Sequence, residues 1–156
     1  MRYIAVITLC ILLTSAISNA DDLFKNKDMV ISVSQSEIRQ NLTNYRGSQF
    51  ISITLVTVFL TQEMSRKYKE SRSGPSCPLQ LNPNDCKYVT HEIRFNFATS
   101  AALDMGDYEY DRYDNLICGG PTMSTIDMNS HGWKTIFTKL RELFEEADRK
   151  DKSEPW

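Results

Sequence analysis

The chain has 156 residues, and its 18 Lys and Arg stand against 20 Asp and Glu for a formal net charge of −2. That balance excludes non-specific grip on nucleic acid, which runs on a basic surplus. The length suits one domain, large enough to bury a core without covalent help, and no repeat or low-complexity tract interrupts it.

Residues 1–20, MRYIAVITLCILLTSAISNA, have the layout of a secretory signal peptide. Arg2 gives the positive start, Ile4 to Ile17 the apolar run, and Ser18 and Ala20 the small side chains before a cleavage point. The run is shorter than the roughly 20 residues a bilayer span needs. The expectation is a mature chain of residues 21–156, exported to a periplasm or secreted, with no membrane association after cleavage. Without Arg2 that chain is slightly more acidic.

Within it, Met29–Val33 is a short β-branched run that reads as an opening strand. Ser34 or Ser36 then caps a helix whose Ile38, Leu42 and Tyr45 share a face and which Gly47 ends. Gln49–Gln62 reads as a central strand. Its alternation slips at Leu55–Val56, which predicts a bulge or burial on both faces. Ser65–Ser76 is polar, basic and breaker-rich, so it is expected to leave the sheet and lead into a loop. Lys87–Ser100 alternates cleanly, with Val89, His91, Ile93, Phe95 and Phe97 on one side and Glu92 and Arg94 on the other. After a turn at Met105–Gly106, Asp107–Cys118 is a third candidate strand. The last element is a helix with an apolar stripe of Trp133, Ile136, Phe137, Leu140, Leu143, Phe144 and Ala147. Its wet side carries i,i+4 pairs such as Glu146–Lys150 and Asp148–Lys152, and residues 152–156 are expected to fray. Together these elements predict an α+β domain. Its small antiparallel sheet has three to four strands, with a short N-terminal helix and a long C-terminal amphipathic helix packed on one face.

The mature chain holds Cys77, Cys86 and Cys118. In an exported protein a disulfide is the default, and the Pro- and Asn-rich stretch between Cys77 and Cys86 predicts that these two close a small loop. Cys118 is then left as a buried thiol, a link to a second chain, or the partner of one of the other two. Spacing gives no zinc site, and no metal or cofactor is expected.

Signatures for nucleophile elbows, phosphate loops and dinucleotide binding are absent. His91–Glu92 begins like a zinc-protease motif, but Phe95 occupies the second histidine position. Asp107, Glu109 and Asp111 have calcium-loop spacing, but Arg112 replaces the required glycine. Two sets remain. If the protein is an enzyme, His91, Glu92, Arg94 and His131 would be the acid, base and cation of a ribonuclease-like secreted hydrolase. If it is a binder, the acidic and tyrosine-rich Tyr108, Glu109, Tyr110, Asp111 and Tyr113 would meet another protein, one with a basic surface. Asn41–Leu42–Thr43 is a glycosylation sequon if the source is eukaryotic. The expectation is a non-catalytic protein-binding module of inhibitor, immunity or effector type. A hydrolase, or a structural component of a surface assembly crosslinked through Cys118, are the alternatives.

Overall fold

The computed structural model describes residues 19–47, 49–72 and 86–153. Six strands run in chain order as one antiparallel sheet. They are β1 (Ala20–Lys25), β2 (Met29–Ser34), β3 (Ile51–Phe59), β4 (Cys86–Asn96), β5 (Ala101–Asp111) and β6 (Leu116–Thr125). Between β2 and β3 lie α1 (Gln35–Gln40) and α2 (Leu42–Arg46). Helix α3 (Gln62–Arg72) follows β3, and α4 (His131–Ser153) follows β6.

The sheet is therefore larger than the expected three to four strands, for three local reasons. β1 is short and acidic at its start, and only Leu23 is fully buried, so it gives little apolar alternation. The stretch expected as one strand, Asp107–Cys118, is the end of β5, a turn, and the start of β6. Asp111 makes the turn: its carboxylate accepts from the backbone N–H of Tyr113 (2.8 Å) and Asn115 (2.9 Å), and Asp114 takes φ 63°. The turn expected at Met105–Gly106 instead lies inside β5, as register shifts against both β4 and β6. Ser65 onward, expected as irregular chain, is helical through Arg72.

In β3 the inward residues are Ile51, Ile53, Leu55 and Thr57, and the register with β4 runs unbroken from Ile51↔Phe95 to Val58↔Tyr88. There is no bulge at Leu55–Val56. Val56 and Val58 lie on the opposite sheet face, half-buried. The expected N-terminal helix is two short ones broken at Asn41. Ser34 caps the first by accepting from Glu37 N–H at 3.2 Å, while Ile38 and Leu42 enter the core. β2 pairs β3 only from Leu55 to Phe59. The exposed edge before that is closed by side chains: Asn41 Nδ2 donates to the Ser52 carbonyl (3.1 Å), and Thr54 N–H donates to Glu37 Oε2 (3.4 Å).

The stripe on α4 packs as expected. Ile136, Phe137, Leu140 and Phe144 are buried against Val33, Ile53, Ile93 and Phe95 on one sheet face. Phe144 stacks on Tyr45 with ring centroids 4.9 Å apart, and Phe97 meets Phe137 at 4.7 Å. Full burial of each such aromatic contributes on the order of 2–3 kcal/mol. Arg46 of α2 forks onto Asp148 (2.5 Å) and Asp151 (2.6 Å) of α4. Glu146–Lys150 and Asp148–Lys152 form at 2.7 and 2.6 Å. Lys152 and Ser153 are helical, and residues 154–156 lie outside the described residues.

Candidate functional site

Cross-strand register decides what the covered face carries beyond the apolar core. Along it Leu55 pairs His91, His91 pairs Asp107, Thr57 pairs Val89, Val89 pairs Glu109, and Glu109 pairs Cys118. That end of the face is polar, and α3 is the helix over it. Its sequence fits: Ser65 and Lys69 are one turn apart and both buried, while Arg66, Lys67 and Glu70 remain wet. Ser65 Oγ donates to the Cys86 carbonyl at 3.0 Å. Lys69 Nζ sits 2.6 Å from Glu109 Oε2. Two residues along β5, Asp107 Oδ1 stands 2.6 Å from His91 Nδ1, and Thr57 Oγ1 stands 3.1 Å from Nε2. An ionised Asp107 can only accept, so Nδ1–H donates to it; in that tautomer Nε2 accepts from the Thr57 hydroxyl.

The expected hydrolase set is thereby split. His91 faces the covered side, Glu92 and Arg94 are exposed on the opposite face, and His131 is exposed at the start of α4. The partners His91 does have, Asp107 and Thr57, are 16 and 34 residues away in sequence. Only the strand register brings them together; the alternation around His91 indicates its face and nothing of its neighbours.

Cys86 has a free, buried thiol, and this corrects its expected pairing with Cys77. Its Sγ lies 3.7 Å from the Tyr88 carbonyl. Burial, with the Glu109 carboxylate adding to it, pushes the thiol up to about 11. Cys118 is disulfide-bonded. Cys77 lies outside the described residues. Among the described residues no cluster of His, Cys, Asp and Glu could hold a metal ion.

The acidic tyrosine segment is divided by the same alternation. Glu109 is fully buried on the Lys69 side and is unavailable to a partner. Asp111 is engaged in the β5–β6 turn. Tyr113 is 70 % exposed at that turn, with the Arg112 guanidinium 5.0 Å from its ring centre. Tyr108 and Tyr110 lie on the opposite sheet face, which no described helix covers. There the register lines up Val30, Val58, Tyr88, Tyr110 and Leu116 across five strands. Tyr88 and Tyr110 stack at 4.9 Å, and Leu116 is 58 % exposed. The Tyr88 hydroxyl is pushed up to about 12, first by burial and then by the Asp114 carboxylate that accepts its hydrogen bond. Beside this row run Ser32, Val56, Thr90, Tyr108 and Gly119. The sequence could have given the row through its out-of-phase Val56 and Val58, which were apolar residues without a core to enter.

At the sequon, Asn41 Nδ2 donates to both the Glu37 carbonyl (3.0 Å) and the Ser52 carbonyl (3.1 Å). A glycan would replace one of those two protons. No helix of the described residues is long and apolar enough to cross a membrane. No protein-family model, curated protein or solved structure matches the chain.

Proposed function

We propose that the protein is an exported, non-catalytic module that recognises another protein through its open sheet face. The observation that carries this is the five-strand row from Val30 to Leu116. It is aliphatic at its ends, aromatic in its middle, and uncovered by any described helix. A contiguous apolar band on one face of a sheet marks an interaction surface, and tyrosine is a frequent anchor in such surfaces. The neighbouring carboxylates of Asp107 and Glu109 are buried, and that of Asp111, at the surface, is held by the β5–β6 turn. Apolar contact therefore carries recognition, and a basic partner surface is secondary. A photo-crosslinking residue at Tyr110, in protein expressed in the source cell, should capture a discrete partner that Tyr110→Asp fails to bind. The same crosslinker at exposed Glu63 on the helical side should not capture it. Equal capture at both positions, or none at Tyr110, overturns the assignment.

Export rests on residues 1–20, and one intramolecular disulfide accompanies it. We assign the partner of Cys118 to Cys77, because Cys86 is a free thiol and Cys10 belongs to the expected leader. In the chain-entropy description a bridge over that span contributes about 4 kcal/mol.

A hydrolase remains the second reading, and one observation favours it. Asp107, His91 and Thr57 stand in the order acid, base, hydroxyl. Thr57 is only 5 % exposed in the middle of β3, which restricts access of a substrate carbonyl or phosphate to its oxygen. Hydrolysis of RNA or ester substrates that disappears in His91→Ala would replace the binding proposal.

A further inference from the structure

The sheet face not filled by α4 opens between α3 and the first turn of α4 into a cleft of about 540 Å³. Its walls are apolar: Phe24, Ile31, Leu55, Phe59, Trp133 and Ile136. Thr57 and His91 form a polar patch in its floor, and Lys67, Ser71 and Ser130 stand around it. Among the described residues no aspartate or glutamate lines it. The volume and the ratio of many apolar groups to few convergent polar ones are those of a small-molecule site. Behind the lining stand two carboxylates, Glu63 paired with Lys67 and Asp107 paired with His91, while the lining itself carries a cation. Lys67 is the lining cation, 59 % exposed and 2.8 Å from Glu63. Ser130 and Gly132 bring the start of the 23-residue α4 to the rim, and that helix has no acidic residue in its first turn. Helix starts present N–H groups without intrahelical acceptors and a partial positive charge. His91 cannot swing away to fill the space, because Asp107 and Thr57 hold both ring nitrogens.

We infer that this cleft binds an apolar monocarboxylic acid, its hydrocarbon part between α3 and the sheet and its carboxylate at Lys67 and the α4 start. A ligand carboxylate shares Lys67 with Glu63 and meets one helix start, a set that suits no more than one negative charge. A doubly charged phosphate would call for a larger cationic set. The site is on the opposite sheet face from the proposed protein-binding row and does not depend on it.

Trp133 in the wall reports occupancy, and Trp156→Phe removes the other tryptophan. Decanoate titrated into that variant should change Trp133 emission saturably, with decanol binding at least tenfold more weakly. Lys67→Glu, at an exposed helix position, should weaken decanoate at least tenfold and leave decanol unchanged. Met64→Trp, also on the lining of α3, should close the cleft to both, with an unchanged circular dichroism spectrum as the control on folding. No saturable response to either probe overturns the site. Decanol binding as tightly as decanoate, indifference of decanoate to Lys67→Glu, or tighter binding of decyl phosphate overturns the carboxylate assignment.

Discussion

Lys69 Nζ stands 2.6 Å from Glu109 Oε2 with the two side chains 3 % and 0 % exposed. The pair ties α3 to β5 across the sheet face, and Glu109 Oε1 has no hydrogen-bond partner among the described residues. Desolvating two charges costs several kcal/mol each, so a pair at this depth is a poor source of net stability. Its value is positional, since it sets where α3 sits over β4 and β5.

Breaking the pair from one side leaves a buried charge uncompensated. Lys69→Met or Glu109→Gln should each lower unfolding free energy by about 3–5 kcal/mol. Lys69→Met combined with Glu109→Gln should lose clearly less than the sum of the two single losses. Urea unfolding of the three variants measures the coupling. Additive losses in the double variant would show that the charges do not depend on each other.

Cys86 gives a pH dependence with a definite sign. Its thiol ionises near 9.0 when free of the fold and near 11 within it. The folded state thus holds its proton longer, and the stabilisation is complete below pH 9 and lost as pH rises toward 11. Over that window wild type should lose about 2 kcal/mol more than Cys86→Ala, when each is compared with its own stability at pH 8. Identical slopes for the two proteins would remove Cys86 as the cause. At pH 8 the native thiol should also resist iodoacetamide while the urea-unfolded thiol reacts.

Gly119 and Gly120 offer a paired test on β6. Gly119 has φ 138°, and a Cβ there would lie 2.3 Å from the Asp107 carbonyl oxygen. A Cβ on Gly120 meets nothing within 4 Å. Gly119→Ala should therefore cost several kcal/mol by the backbone route and displace Asp107, shifting the His91 ring resonances in NMR. Gly120→Ala should leave both unchanged. Equal tolerance of both alanines would contradict the close approach of β6 to β5.

The Cys77–Cys118 assignment predicts a non-reducing peptide map in which the fragment containing Cys118 travels with the one containing Cys77. Cys86 should appear as a single blocked thiol. A Cys77–Cys86 peptide in the folded protein would overturn the assignment.

The helical face of this fold was largely legible in the sequence. The α4 stripe, the Ser34 cap and the inward alternation of β4 each follow from spacing over a few residues. The number of strands was not. Tyr108 and Tyr110 alternate with Glu109 so regularly that Asp107–Cys118 looks continuous, and the turn depends on the Asp111 carboxylate meeting backbone N–H groups within that run. α3 was hidden because its buried side carries Ser65 and Lys69, which give no apolar period. The Lys69–Glu109 and His91–Asp107 pairs join residues on different elements, and strand register or tertiary packing, which local pattern does not contain, makes them neighbours. The cysteine pairing failed for the same reason. Loop composition favoured closure between Cys77 and Cys86, but it held no information about the burial of Cys86 against β5.

Leu23 of β1 shares one core with Phe144 of α4. The first strand of the sheet and the last helix of the chain are thus mutual neighbours, although every strand pairs only with those next to it in sequence. During synthesis the meander can assemble hairpin by hairpin from the N-terminal side, but its inner face stays greasy and open until His131–Ser153 emerges. A nascent chain stalled before Trp133 would be a sheet without its cover, prone to stick to chaperones and to its own kind. Completion of this domain waits on α4, which leaves the unfinished form pliable until that helix has been made.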